Sequence, residues 1–378
     1  MFATPTPDIA TCGSIVADSC QRRHGLLLGS GTTALTFACR MTPPDRKKVI
    51  VPAIACAHVL FAILYANCTP VFVDICLESG LIDPDLVRAA IELDPAIGAV
   101  VVVHTYGHIA EIQKICNHAK ACGVLVIEDA AQAQGGVYPD GSPVGSHGDL
   151  SLVSFGHTKI LDAGGGGVLM TDRQDLYEAS LAFAKELSTP PAESLSRFAQ
   201  YRSRYYSEWN ARISDSSALN RIGMLHKDFS DIFVRRADDE TARRIVQALP
   251  SLPFHVAARV EMAAEYTNLF AGLNGVQLCS VRSGYIPWRF VFRVMANERD
   301  ALLNNLRQAG LDASSWYPSL ALFWDQDSVK FSLPNADTFS QEVVNLWVTP
   351  GYDRQQIHVA FTLVRDYFEK AAPFAQSF

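Results

Sequence analysis

Residues 49–73 of this chain contain no Asp, Glu, Lys or Arg, and an apolar stretch longer than about 20 residues can span a bilayer. Pro52, His58, Asn67 and Pro70 interrupt it. The intervals suit a buried strand, a helix and a second strand, each too short to cross a membrane, so the stretch reads as the inside of a globular fold. The same arrangement recurs downstream. Short Val and Ile runs at 49–51, 71–73, 99–103 and 124–127 alternate with helical patterns at 57–65 and 109–122. Strands that are continuously apolar are buried on both faces, which predicts an α/β fold with a mostly parallel central sheet covered by helices. Further strands are expected at 150–155 and 167–171, the second launched from four glycines, 164–167.

The length of 378 residues predicts two domains. Beyond about residue 183 the pattern changes, and 186–230 is polar and aromatic (Phe198, Tyr201, Tyr205, Tyr206, Trp209) with no clear strand. Apolar positions at Ile245, Leu249, Leu252 and Val256 lead into a helix over 259–270. Strands at 290–294, 315–317 and 345–348 and helices at 300–309 and 354–363 then suggest a smaller α+β unit. The expected organisation is a large domain over 1–240, with 186–230 as a variable helical and loop segment, and a small C-terminal domain over 241–378.

Composition narrows the partners. With 32 Lys and Arg against 39 Asp and Glu, the net charge is −7, which argues against nucleic acid. Nine cysteines, an odd number scattered from Cys12 to Cys279, lack metal-type spacing and fit a reducing compartment. Residues 1–9 lack the basic and apolar blocks of a signal peptide. The expectation is a cytoplasmic protein with no metal and no membrane partner.

Three elements could carry chemistry. Asp129 ends the apolar run Val124-Leu-Val-Ile-Glu-Asp129, where an open α/β sheet places its ligands; an N-capping role is the other reading. Lys159 lies between a buried strand and the glycine run, and a desolvated lysine is the residue that forms Schiff bases; the alternative is a lysine that snorkels to the surface. Gly29-Ser30-Gly31-Thr32-Thr33 is a small-residue turn entering a helix, a place where backbone N–H groups meet anions. Together an anion cradle, a strand-end acid and a buried lysine are what pyridoxal phosphate requires: an anchor for its phosphate, a carboxylate for its ring nitrogen and an amine for its aldehyde.

At these residues the chain resembles the DegT/DnrJ/StrS sugar aminotransferases, which are fold-type I pyridoxal-phosphate enzymes. The resemblance is carried by Ser30-Gly-Thr-Thr-Ala-Leu35, Val49-Ile-Val-Pro-Ala53, Pro70-Val-Phe-Val-Asp74, Val103-His-Thr-Tyr-Gly107, Ile127-Glu-Asp-Ala-Ala-Gln-Ala133 and Ser154-Phe through Lys159 to Gly166-Gly167, and it continues through Arg259, Tyr266, Phe292-Arg293 and Trp316-Tyr-Pro318. It implies a fold-type I architecture with Lys159 as the Schiff-base lysine and proton shuttle, Asp129 as partner of the pyridinium nitrogen, and Gln132 beside the ring. Gly31, Thr32, Thr33 and Ser154 match the phosphate cradle. The implied reaction moves an amino group from an amino acid, glutamate or glutamine, to a keto group of a sugar, sugar nucleotide or cyclitol. Alternatives are a dehydration or elimination on the same cofactor, or a non-catalytic sensor. Related dehydratases replace the lysine by histidine, so Lys159 argues against the first; the intact cofactor residues argue against the second.

There are departures. Cys56 stands where the family often has an aromatic residue stacked on the ring, and Gly165 replaces an acidic residue of the motif after the lysine. An Asn-x-Arg segment that crosses from one subunit of the family's homodimer into the other's phosphate site has two candidate counterparts, Asn210-Ala-Arg212-Ile-Ser214 by residue type and Phe233-Val-Arg235 by distance from Arg259, and the asparagine favours Asn210. About thirty residues precede the phosphate turn, so opening helices that shape the family's substrate pocket are expected to be reduced. His157 could touch the ligand or simply pack, Tyr106 and Tyr317 are candidate pocket-lining residues, and His104 and His108 have no spaced partner for a metal.

Overall fold

Alternate side chains of the central strands go to opposite faces of one sheet: Val49 and Val51 pack with Ala99, Val101 and Leu152 on one side, while Ile50 packs with Val100, Val102 and Val153 on the other. This is why the strands read as unbroken apolar runs. The computed structural model describes residues 8–371, apart from 192, 213, 214, 216, 325–328 and 330. Most of the N-terminal stretch read for a signal peptide, and Ile213 and Ser214 of the Asn210 segment, lie outside the described residues.

The elements run α1 (Ile9–Ser19), β1 (His24–Leu28), α2 (Gly31–Arg40), β2 (Lys48–Pro52), α3 (Ala57–Tyr65), β3 (Thr69–Val73), the two-residue strands β4 (Ile75–Cys76) and β5 (Leu81–Ile82), α4 (Pro84–Leu93), β6 (Ile97–Val103), α5 (Ile112–Ala121), β7 (Leu125–Asp129), β8 (Leu150–Ser154), β9 (Gly167–Thr171) and α6 (Gln174–Glu186). The large sheet has the order β1-β9-β8-β7-β6-β2-β3. Pairings among β3, β2, β6, β7 and β8 are parallel, and β9 runs antiparallel to both its neighbours. One face is covered by α2, α3 and α6, and the other by α1, α4 and α5. The chain therefore has the α/β architecture expected from its sequence, a mostly parallel central sheet covered by helices on both faces.

The variable segment is helical, with α7 (Ser194–Ala211), α8 (Ser217–Asp228) and the short α9 (Ser230–Phe233). Then come α10 (Asp239–Ala248), α11 (Leu252–Phe270), β10 (Gln277–Leu278), β11 (Arg289–Arg293), α12 (Ala296–Gln308), β12 (Ala313–Ser314), α13 (Pro334–Glu342), β13 (Val343–Trp347) and α14 (Gln355–Ala371). The second sheet, β10-β11-β13-β12, buries Phe290 and Phe292 against Tyr266 and Phe270 of α11, Leu302 and Leu306 of α12, and Ile357 and Val364 of α14. Ala242 and Ile245 of α10 bury instead with the large sheet, so this helix packs with the first unit although it lies beyond residue 240. The strand expected at 315–317 is found two residues earlier, at β12. No described helix is long and apolar enough to cross a membrane.

Candidate active site

The C-terminal ends of β1, β2, β7 and β8 converge on a cavity of about 300 Å³, the position that open parallel sheets reserve for ligands. Gly29, Ser30, Gly31 and Thr32 supply one wall, Cys56 and His58 a second, and Asp129, Gln132, Ser154 and Lys159 the floor. Gly156, His157 and the glycines 164–166 close the rim.

The anion cradle depends on close approach of three segments. A methyl group on Gly31 would lie 2.9 Å from the Ser154 Cβ, and one on Gly167 would lie 2.4 Å from the Gly31 nitrogen. Glycine at both positions lets β9 and β8 press against the start of α2. Ser30 caps that helix, its hydroxyl accepting from the Thr33 amide at 2.9 Å, and the remaining first-turn amides are the ones a helix leaves without partners. The Ser154 hydroxyl has no protein hydrogen bond among the described residues and faces the same space.

Asp129 is 6% exposed, and one carboxylate oxygen accepts from the Ala131 amide at 2.9 Å. Burial raises its pKa above the ordinary value, and the charge of Lys159 works against that rise. Lys159 lies in the turn after β8, whose preceding residue, Thr158, has φ 68°. The Thr158 carbonyl accepts from the Trp288 indole N–H at 2.7 Å, so the second unit braces the lysine turn. Among the described residues Lys159 has no hydrogen-bond or ion-pair partner for its ammonium group. The arrangement is an amine without a hydrogen-bonded partner and a buried carboxylate on one cavity, together with donors for an anion. Gln132 orients its amide by two bonds, Oε1 accepting from the Tyr106 amide at 2.9 Å and Nε2 donating to the Tyr317 hydroxyl at 3.1 Å.

Other expected residues are placed differently. Thr33 is fully buried, and its hydroxyl donates to the Phe233 carbonyl at 2.7 Å and accepts from the Arg235 amide at 3.2 Å. Its side chain is thus committed to the protein and turned from the cavity. Asn210 lies exposed near the end of α7, because that helix continues through Ala211 and carries it on the outer surface. Its rival, the Phe233–Arg235 segment, lines the cavity of its own chain together with Ile232 and Phe198. Tyr106 and Tyr317 stack on each other at 5.7 Å behind Gln132 and do not line the cavity. His157 sits at the rim, 3.2 Å from Asp162. His104 and His108 face separate partners, Glu128 and the Ser79 carbonyl.

Sequence reasoning did not single out His58, and it held Arg235 only as the lesser of two candidates; both line the cavity. The guanidinium of Arg235 lines the cavity 3.6 Å from where a methyl on Gly165 would be, and burial holds its pKa below the ordinary value. The available signal was the loss of the aromatic residue at Cys56, which left its neighbours to fill the wall.

The sequence profile of the DegT/DnrJ/EryC1/StrS aminotransferase family matches residues 7–364. The chain is 28% identical over 378 residues to dTDP-3-amino-3,4,6-trideoxy-alpha-D-glucose transaminase of Streptomyces venezuelae, covering 96% of this chain and 88% of that protein. Over a shorter stretch of 158 residues, 41% of this chain and 36% of the other, it is 35% identical to L-glutamine:2-deoxy-scyllo-inosose aminotransferase of Streptomyces kanamyceticus. The crystal structure of S. venezuelae DesV superposes with a TM-score of 0.76 at 26% identity, covering 96% of this chain and 90% of that chain, and Helicobacter pylori PseC shares the fold at a TM-score of 0.78 and 17% identity, covering 97% and 94%. On these grounds the chain belongs to the DegT/DnrJ/EryC1/StrS family and is an aminotransferase.

Proposed function

We propose that the enzyme uses pyridoxal phosphate to move an amino group from an amino acid, glutamate or glutamine, to a keto group of a sugar, sugar nucleotide or cyclitol. The observation that carries this reading is Lys159, an amine with no hydrogen-bond or ion-pair contact among the described residues, in one cavity with the buried carboxylate of Asp129, on which its charge acts. The donor set fits the cofactor: glycine-lined backbone and the free Ser154 hydroxyl for a phosphate, a carboxylate for a ring nitrogen, and an amine for an aldehyde.

When bound, pyridoxal phosphate supplies a ring that can take up the electron pair released at the donor's carbon. The chain's own groups do the rest. Asp129, buried and fixed by the Ala131 amide, would keep a proton on the ring nitrogen. The first-turn amides of α2, Ser154 and Thr32 would hold the phosphate, with the helix dipole favouring the anion. Lys159 Nζ would take a proton from the donor's carbon and deliver it to the carbon that carried the cofactor's aldehyde, acting as base and then as acid. Gln132, held from behind by Tyr106 and Tyr317, keeps one amide hydrogen for the ligand.

The S. venezuelae and S. kanamyceticus relatives, one named for a nucleotide-linked sugar and one for a cyclitol, support the acceptor class. The reading includes a cytoplasmic homodimer with its site at the subunit interface; a monomer by light scattering at micromolar concentration would count against the dimer. The chemistry is tested by near-visible absorbance and borohydride reduction of the purified protein, followed by mass spectrometry of keto-sugars and cyclitols incubated with labelled glutamate or glutamine. A covalent, reducible adduct mapped to Lys159 is expected. Its persistence in Lys159→Ala would sink the assignment.

A further inference from the structure

Trp288 stands immediately before β11 in the second unit and is buried. Its indole N–H donates to the Thr158 carbonyl at 2.7 Å, across 130 residues of sequence. That carbonyl shares one planar peptide with the Lys159 nitrogen, which donates to the Gly156 carbonyl at 3.2 Å. The plane that sets the direction in which Lys159 leaves the backbone is therefore held at both ends. Its nitrogen is held from within the turn, and its oxygen by a side chain of the second unit. A buried indole N–H usually finds some acceptor; what singles this one out is that the acceptor is the peptide of the cavity's amine.

Thr158 has φ 68°, a left-handed conformation that a β-branched residue keeps only where its surroundings hold it. The indole is placed to do so, because it is itself anchored. The Trp288 amide donates to the Tyr106 carbonyl at 2.9 Å, its ring stacks on Tyr317 with centres 5.8 Å apart, and the Arg289 guanidinium lies over it at 4.2 Å. Arg289 also lies over Trp347 of β13, so the second sheet fixes where the indole sits.

We propose that Trp288 is a positioning residue: by holding the Thr158–Lys159 peptide it aims the Lys159 amine at the aldehyde of bound pyridoxal phosphate. This rests on the cofactor reading above. Trp288 does not line the cavity, whose lining residues all lie between Gly29 and Arg235, and it acts through the lysine alone. The groups for the phosphate and the ring nitrogen thus come from the first unit, while the aim of the amine depends on the second.

The experiment strips the cofactor from the purified protein and titrates it back, by calorimetry and without turnover, with two ligands. Pyridoxal phosphate has an aldehyde that condenses with the lysine amine, forming a carbon–nitrogen double bond and releasing water. Pyridoxamine phosphate has an amine in that place and cannot form the bond, so its affinity does not depend on where Lys159 points. Trp288→Phe keeps a flat ring and removes the donor; it is expected to weaken pyridoxal phosphate roughly tenfold and to leave pyridoxamine phosphate within about twofold of the parent. Trp288→His, a flat ring that restores an N–H, is expected to bring pyridoxal phosphate back within about threefold. Parental affinity for pyridoxal phosphate in Trp288→Phe, equal weakening of both ligands, or a histidine variant as weak as the phenylalanine one would overturn the proposal in favour of packing alone. Thermal melts of the stripped proteins identify variants that fail to fold, in which case Thr158→Gly carries the decision. It frees the backbone at 158 but keeps the carbonyl for the indole. A ratio of the two affinities within about twofold of the parent supports the tie, and a roughly tenfold fall overturns it. Binding of neither ligand by the parent protein would instead overturn the cofactor reading.

Discussion

The Thr33 hydroxyl donates to the carbonyl oxygen of Phe233, 200 residues further along the chain, at 2.7 Å. The Ser30 hydroxyl reaches the same oxygen at 2.6 Å, and the Gly29 amide donates to the Arg235 carbonyl at 3.1 Å. The turn at the head of α2 is thus clasped to the segment that ends the helical excursion over α7 to α9. Thr33→Val removes the central hydroxyl at nearly constant volume, leaving the Arg235 amide without its acceptor. The expected cost is about 1–3 kcal/mol of unfolding free energy, read from denaturant midpoints, together with faster loss of cofactor. Unchanged midpoints would show that the clasp contributes nothing.

Gly167 tests the packing beneath the same turn. An added methyl would sit 2.4 Å from the Gly31 nitrogen, against backbone that has no side-chain rotamer to yield. Gly167→Ala is expected to lose about 1–3 kcal/mol, the usual cost of overpacking, and to bind the cofactor more weakly because α2 must shift. A variant with parental stability and affinity would mean that the strand and helix can separate freely.

Much of this site could be read from residues in order. Asp129 closes β7 and Lys159 lies in the turn that follows β8, and strand ends are visible as the close of apolar runs. The glycine turn is visible for the same reason. What could not be read is set by contacts between distant segments. Thr33 looked equivalent to Thr32, and only the approach of Phe233 commits its hydroxyl to the protein. Asn210 matched a motif by residue type and lies exposed on α7, a surface that a second subunit could meet, while Phe233–Arg235 matched by spacing and lines the cavity of its own chain. β1 went unassigned because His24-Gly-Leu-Leu-Leu is short and begins with weak strand formers; its pairing with β9 supplies what local preference does not. α10 was assigned to the C-terminal domain on sequence position, whereas burial of Ala242 and Ile245 draws it to the large sheet.

Glu128, next to Asp129 on β7, is fully buried and accepts from Tyr138 at 2.6 Å, the Gly145 amide at 2.6 Å, the His147 amide at 2.7 Å and His104 at 3.2 Å. Burial alone would raise its pKa, but these donors outweigh it and the value lies below the ordinary 4.5. A carboxylate depressed in the folded state gives stability that is complete above its unfolded value and is lost as pH falls through the folded one. The enzyme should therefore lose stability below about pH 4.5 in part through this group. Glu128→Gln, which leaves donors unmatched, is expected to be about 3–5 kcal/mol less stable near pH 7 and to show a shallower acid dependence of its denaturant midpoint. The same slope in both proteins would place the acid sensitivity elsewhere.

Arg235 offers a cleaner separation of fold from binding than any other cavity residue. Its backbone amide and carbonyl make the ties to Thr33 and Gly29, and these survive any substitution other than proline. The side chain makes one protein hydrogen bond, from Nε to the Ile232 carbonyl at 3.2 Å, and carries no carboxylate pair among the described residues. A guanidinium held by its own backbone beside the glycine turn proposed to take a phosphate has little to do for stability and much for an anion. Arg235→Ala should melt within a few degrees of the parent but bind pyridoxal phosphate roughly tenfold or more weakly, since a charge-assisted hydrogen bond is worth about 1.5–3 kcal/mol. Inorganic phosphate should compete for the stripped parent and lose most of that effect in the variant. If pyridoxal, which lacks the phosphate, were weakened as much as pyridoxal phosphate, the guanidinium would be acting on the ring and not on the anion.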